Sequence, residues 1–148
     1  MGSFYDYFSA LDDLTALTAF APGVEAAGFP MVPVKGIEPY VQLGQAESLL
    51  TGMPYADVTA LPRFNQLLSS PEDESSWLVT LTDELRDALA SARPGQLEAA
   101  AERWSRIEEF GDDCEPGPLA DFLKELATLA AEAGARREPH RLYCLMSL

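Results

Sequence analysis

The sequence predicts an α+β fold, in which a small sheet of three or four strands packs against four or five helices. Short segments rich in aromatic and β-branched residues, typical of strands, alternate with longer segments whose apolar residues recur every three or four positions, typical of helices. The length of 148 residues suits one domain that buries a core of its own. We therefore expect a single globular domain over residues 1–148.

Four segments have the composition of strands. Aromatic and aliphatic residues dominate them. They lie at residues 3–8, 30–35, 77–81 and 141–147. Pro30 and Pro33 lack the N–H that a sheet ladder needs, so the second segment belongs at a sheet edge or in an extended loop.

Apolar periodicity predicts five helices between these strands. Ser9 and Thr82 are the expected N-caps of the first and third helices, and proline or glycine bounds most of the others. The helices are expected over residues 9–21, 39–52, 82–92, 96–110 and 118–134. Residues 53–76 are the least regular stretch, with one short helical turn around residues 55–60. A stretch of this length predicts a lid or a docking segment.

Negative charge is the strongest feature of the composition. The chain has 24 Asp and Glu residues against 10 Lys and Arg, for a net charge of −14. A molecule with this excess is repelled by phosphate backbones and by anionic membrane surfaces. We expect no nucleic-acid partner and no membrane partner. Two interpretations of the acidity remain, namely solubility and the attraction of a basic protein.

The sequence favours a cytoplasmic location. The two cysteines, Cys114 and Cys144, form neither a disulfide framework nor a zinc-binding spacing. The first thirty residues lack the basic and apolar regions of a secretion signal, and no run of about eighteen apolar residues predicts a membrane span.

Motifs for nucleotide, metal and nucleophile chemistry are missing from the sequence. It contains neither GxGxxG nor a P-loop, and HExxH is impossible because His140 is the single histidine. Cys144 follows His140 by four positions in an expected strand, which separates the two side chains by roughly 13 Å. We therefore predict no cofactor, no metal site and no catalytic residue.

Two groups of residues are candidates for binding a partner. The first is an acidic run at the end of a predicted helix, whose doublets differ from the alternating ligands of a calcium loop. It consists of Glu108, Glu109, Asp112, Asp113 and Glu115. The run is either a solvated helix end or a docking face for a basic protein. The second group is Tyr5 and Tyr7, which alternate with other aromatic residues along the first strand; any set left uncovered marks a contact patch.

The order of elements resembles the YfbM-like family of small bacterial α+β proteins of unknown function. The residues that carry the resemblance are YDYF at 5–8, LLTG at 49–52, VTLTDELRDAL at 79–89, the Leu- and Ala-rich helix after them, and the apolar last strand after His140. The resemblance spans nearly the whole chain. It implies a fold, and it carries over no catalytic residue because the family has none established.

We expect from these features a non-enzymatic protein-binding module, similar to immunity proteins or antitoxins, that engages a basic protein. The alternative is a small-ligand-binding protein or a hydrolase-type enzyme with a cleft of carboxylates and aromatic side chains. A concave pocket with convergent polar groups is the feature that separates the two hypotheses.

Overall fold

The computed structural model describes residues 3–148 and shows an α+β fold around one antiparallel sheet. All four predicted strands are present. They are β1 (Phe4–Ala10), β2 (Met31–Lys35), β3 (Ser76–Thr80) and β4 (Arg141–Ser147). The strand order is β2-β1-β4-β3, so the first and last strands of the chain pair at the centre of the sheet.

The described residues also form six α-helices, one more than the sequence predicts. They are α1 (Asp13–Leu17), α2 (Gln42–Thr51), α3 (Tyr55–Thr59), α4 (Asp83–Ser91), α5 (Pro94–Trp104) and α6 (Pro116–Gly134). A 3-10 helix, Glu108–Phe110, lies between α5 and α6. The extra helix is α3, which is the short helical turn expected around residues 55–60.

The prediction that Ser9 caps the first helix is wrong. Ser9 is buried inside β1 and pairs with Leu142 of β4, so the sheet extends β1 past the expected helix start. Asp12 caps α1 instead, because its carboxylate accepts a hydrogen bond of 2.8 Å from the Thr15 N–H. Pairing with the central strand outweighs the local capping preference of a serine.

The predicted helix at residues 96–110 is also too long. Helix α5 ends at Trp104, and the chain re-forms a single 3-10 turn at Glu108–Phe110. Trp104 is fully buried, and its indole N–H donates to the Gln42 carbonyl oxygen at 2.7 Å. Burial of the indole against α2 fixes the end of α5.

Both faces of the sheet bury apolar side chains. One face packs on α2, α4, α5 and α6 and forms the larger core, to which the sheet contributes Tyr7, Val32, Val79, Leu142 and Cys144. The opposite face forms a smaller cluster under α1 and the segment that follows it. This cluster contains Phe8, Ala10, Leu78, Tyr143 and Leu145.

The two sheet edges are protected in different ways. Pro33 lies in β2, at the edge where its missing N–H breaks no ladder bond. The other edge, β3, is covered by residues 65–68. Leu68 donates its N–H to the Leu78 carbonyl at 2.8 Å, and the Thr80 N–H donates to the Gln66 carbonyl at 3.0 Å. Part of the irregular stretch 53–76 is thus anchored along β3.

Among the helices of residues 3–148, none combines the length and the apolar character that crossing a membrane requires.

Candidate functional site

The acidic segment, defined as residues 108–115, is held by three apolar anchors, two within it and one just before it. Ile107, Phe110 and Cys114 are partly buried and pack against the larger core. The Phe110 ring stands edge-on to the Trp104 ring, with 5.2 Å between their centroids. Gly111 has a φ of 77°, a left-handed conformation that glycine adopts without strain, and it ends the 3-10 helix. The backbone of the segment is therefore held on the core.

The acidic side chains of this segment all face solvent. Each is exposed, and none forms an ion pair with another part of residues 3–148. They are Glu108, Glu109, Asp112, Asp113 and Glu115. Because α5 ends at Trp104, Glu108 and Glu109 do not lie at its carboxyl end, where they would oppose its dipole. Glu115 occupies the N-cap position of α6, where a carboxylate is favoured by the helix dipole.

The structure places Tyr7 in the core. Its side chain is fully buried and its hydroxyl donates to the Ile37 carbonyl at 2.6 Å, so it contacts no partner on the folded surface. Burial raises the pKa of Tyr7 well above its ordinary value. The Tyr7 ring meets the Phe122 ring at 5.5 Å, and Phe122 in turn packs on Trp104 at 6.3 Å. Tyr7 therefore belongs to a series of aromatic contacts that runs through Phe122 and Trp104 to Phe110 of the acidic segment.

Tyr5 points to the same sheet face as Tyr7 and is partly buried. With Trp77 and Met146 it lines a small pocket of about 80 Å³ near the end of the sheet. The aromatic residue that the strand leaves uncovered is Phe4, 51% exposed, with the Lys35 ammonium 5.0 Å from its ring centroid. The structure therefore does not join Tyr5 to the acidic segment.

Sequence reasoning missed a buried carboxyl at Glu47. Its side chain is 2% exposed and accepts a hydrogen bond of 2.7 Å from the Thr82 hydroxyl, which itself accepts from the Leu85 N–H. Burial raises the pKa of Glu47 to about 7; the Thr82 hydrogen bond opposes the rise, and the charge of Glu84 adds to it. The signal was a glutamate four positions after Leu43, on the apolar side of α2.

A second polar cluster lies on the other face of the sheet. The Arg63 guanidinium donates to Asp13 at 3.2 Å, and the Tyr143 hydroxyl donates to the same carboxylate at 2.7 Å. Burial opposes ionisation of Asp13, but the hydrogen bonds from Arg63 and Tyr143 outweigh it and lower the Asp13 pKa. Arg63 has a φ of 72°, which is unusual for a residue with a side chain. Fifty positions separate Arg63 from Asp13, so no local pattern predicts this pair.

The cleft between α2, α4 and α5 does not combine carboxylates with aromatic rings. A cleft of about 470 Å³ between α2, α4 and α5 is lined by Leu49, Leu50, small residues and the polar side chains of Gln96 and Arg103. Glu47, although near in sequence, does not line it. Within the part of the chain that the structure describes, no three His, Cys, Asp or Glu side chains are grouped to hold a metal ion.

Comparison of the chain with protein-family models, with curated proteins and with solved structures finds no match.

Proposed function

We propose that this protein is a non-enzymatic binding module whose acidic segment engages a basic protein. The observation that carries the proposal is that five carboxylates lie exposed and unpaired on a backbone segment fixed to the core. A backbone already held on the core loses little conformational freedom on binding, and exposed charges steer a cationic surface into contact. The net charge of −14 extends this attraction beyond the segment itself.

A role of the immunity or antitoxin type is part of the proposal, because such a role needs only a stable surface of one charge. A cytoplasmic location is proposed with it, supported by two free thiols, Cys114 and Cys144. The resemblance to the YfbM-like family remains a prediction of family membership, and it implies no activity. The enzyme alternative has less support, because the clefts described above bring no carboxylate to an aromatic wall.

The test is capture of basic proteins from cell lysate by the tagged protein at low salt. A variant with all acids of the acidic segment neutralised is compared with a matched control. The control neutralises five exposed acids elsewhere, so that both variants lose the same charge: Asp57, Glu72, Glu74, Asp121 and Glu132. We expect the wild type and the control to retain the same basic protein, and the acidic-segment variant to lose it.

Two results would overturn the proposal. One is that no basic protein is retained at low salt by the wild type. The other is that both variants lose the captured protein equally, which would show that only the net charge matters. Release of the partner by added salt is expected in the supporting case, because exposed charges are screened.

A further inference from the structure

A cleft of about 480 Å³ opens where α6 leads into β4. It is lined by Leu11, which follows β1, and by Arg136, Arg137, Glu138 and His140, which follow α6. We call it the Arg136–Arg137 cleft. The protein has 10 cationic residues against 24 acidic ones, so two adjacent arginines at one cleft stand out from the rest of the surface.

The positive charge of this cleft is only partly offset by its neighbours, since two arginines share the wall with one acid. Asp83 lies 3.6 Å from both Arg86 and Arg141, and Asp87 lies 2.9 Å from Arg86, so these acids are already paired. Arg136 and Arg137 form no ion pair with any residue of 3–148. Glu138 is the one acid on the cleft wall.

The wall that carries His140 is fixed by backbone hydrogen bonds. The His140 N–H donates to the Ala133 carbonyl at 2.9 Å, and its own carbonyl accepts from the Arg86 guanidinium at 2.9 Å. The Nδ1 atom of His140 is buried and has no hydrogen-bond partner in the described chain. Burial lowers the pKa of His140, and the nearby charge of Arg136 lowers it further. The charge of Glu138 acts in the opposite direction. The charge of Arg136 therefore acts on the imidazole of His140.

We propose that the Arg136–Arg137 cleft binds a small organic dianion of the phosphate-monoester class. Planar guanidinium groups match phosphate oxygens in pairs, and two of them balance a dianion better than a monocarboxylate. Leu11 is 38% exposed and offers an apolar surface for the organic part of the ligand. At about 0.15 M salt, charges beyond roughly 8 Å are largely screened, so the distant acids weaken binding without preventing it.

The single histidine makes the proposal directly measurable by NMR. Phenyl phosphate serves as the probe, at constant ionic strength and about pH 7. Bound dianion favours the imidazolium, so we expect saturable shifts of the His140 resonances and a higher His140 pKa in the complex. Inorganic phosphate is expected to bind more weakly because it does not contact Leu11. Benzoate, which keeps the ring but has one charge, is expected to bind more weakly as well.

The variant Arg136→Gln/Arg137→Gln is expected to weaken phenyl phosphate binding by about tenfold or more. Its matched control is Arg103→Gln/Arg106→Gln, which removes the same charge on another part of the surface. Circular dichroism checks that both variants fold. The proposal fails if phenyl phosphate leaves the His140 resonances unchanged, or if both double variants lose binding equally. Benzoate binding as tightly as phenyl phosphate would contradict the phosphate-monoester class.

Discussion

At the scale of single residues, Glu47 makes stability depend on pH. A carboxyl whose pKa rises from 4.5 to about 7 on folding favours the folded state only while it is protonated. Its contribution is complete below the pKa of the unfolded chain and is lost as the pH rises through about 7. The loss amounts to at most about 3 kcal/mol.

The test is the substitution Glu47→Gln, which cannot ionise but keeps an oxygen for the Thr82 hydroxyl. We expect the free energy of unfolding of this variant to rise relative to wild type between about pH 4.5 and pH 7.5. Urea unfolding at several pH values measures the difference. Glu132→Gln, at an exposed site on α6, is the control. Its free energy of unfolding should depend on pH in the same way as that of wild type. Parallel curves for Glu47→Gln as well would contradict the prediction.

Arg63 combines an ion pair with a strained backbone. Both Arg63→Ala and Arg63→Gly remove the guanidinium from Asp13 and from the Tyr143 ring, so both should be less stable than wild type. Only glycine adopts a φ of 72° without strain. We expect Arg63→Gly to be more stable than Arg63→Ala by about 1 kcal/mol in chemical denaturation. The reverse order would show that the left-handed conformation costs nothing here.

At the scale of elements, helix α2 packs closely against α3 at Gly44. A Cβ atom there would lie 2.8 Å from Cε1 of Tyr55 and 3.3 Å from Cζ of Phe64. The Tyr55 hydroxyl donates to the Tyr40 carbonyl at 3.2 Å, which restrains the ring from moving aside. The close approach of α2 and α3 therefore requires glycine at this position.

We expect Gly44→Ala to destabilise the protein by about 1–3 kcal/mol, because overpacking exceeds the gain in helix propensity. The matched control is Gly95→Ala in the first turn of α5, where a Cβ meets nothing within 4 Å. The Gly95→Ala variant should be as stable as wild type or slightly more stable. Thermal unfolding measures the stability of both variants. A Gly44→Ala variant as stable as wild type would contradict the prediction, because it would show that the Tyr55 ring moves aside without loss of stability.

At the scale of the whole molecule, a net charge of −14 makes the folded state repel itself. Few of the acids are relieved by ion pairs, and those of the acidic segment have none within residues 3–148. Compactness therefore depends on the apolar cores on the two faces of the sheet, which hold the charges at short distances from one another.

We expect the melting temperature to rise by a few degrees when NaCl is raised from about 0.02 M to about 0.5 M, because salt screens this repulsion. The variant that neutralises the acidic segment should show a smaller rise, since it carries less charge. Differential scanning calorimetry measures both. A melting temperature that does not rise with salt would show that the surface charges are too far apart to matter.

The sequence predicted features that depend on neighbouring residues. The four strands and the N-cap at Thr82 follow from local composition, and the structure confirms them. Of the two alternatives predicted for the segment with Pro33, a sheet edge or an extended loop, the structure shows the sheet edge. The exposure of the acidic segment followed from its charge density in the same way. The burial of Tyr7 could not be predicted in this way. Alternation along a strand defines two faces, but it does not show which face the core covers.

By itself, the sequence determined the fold class and its acidic surface, because propensity, breakers and charge act over a few positions. Only the tertiary structure decided that Glu47 meets Thr82, that Arg63 reaches Asp13, and that Leu11 and Arg136 line the same cleft. These contacts join residues thirty-five or more positions apart. They form when packing of the sheet and helices has fixed the relative positions of distant segments, and no local pattern carries that information.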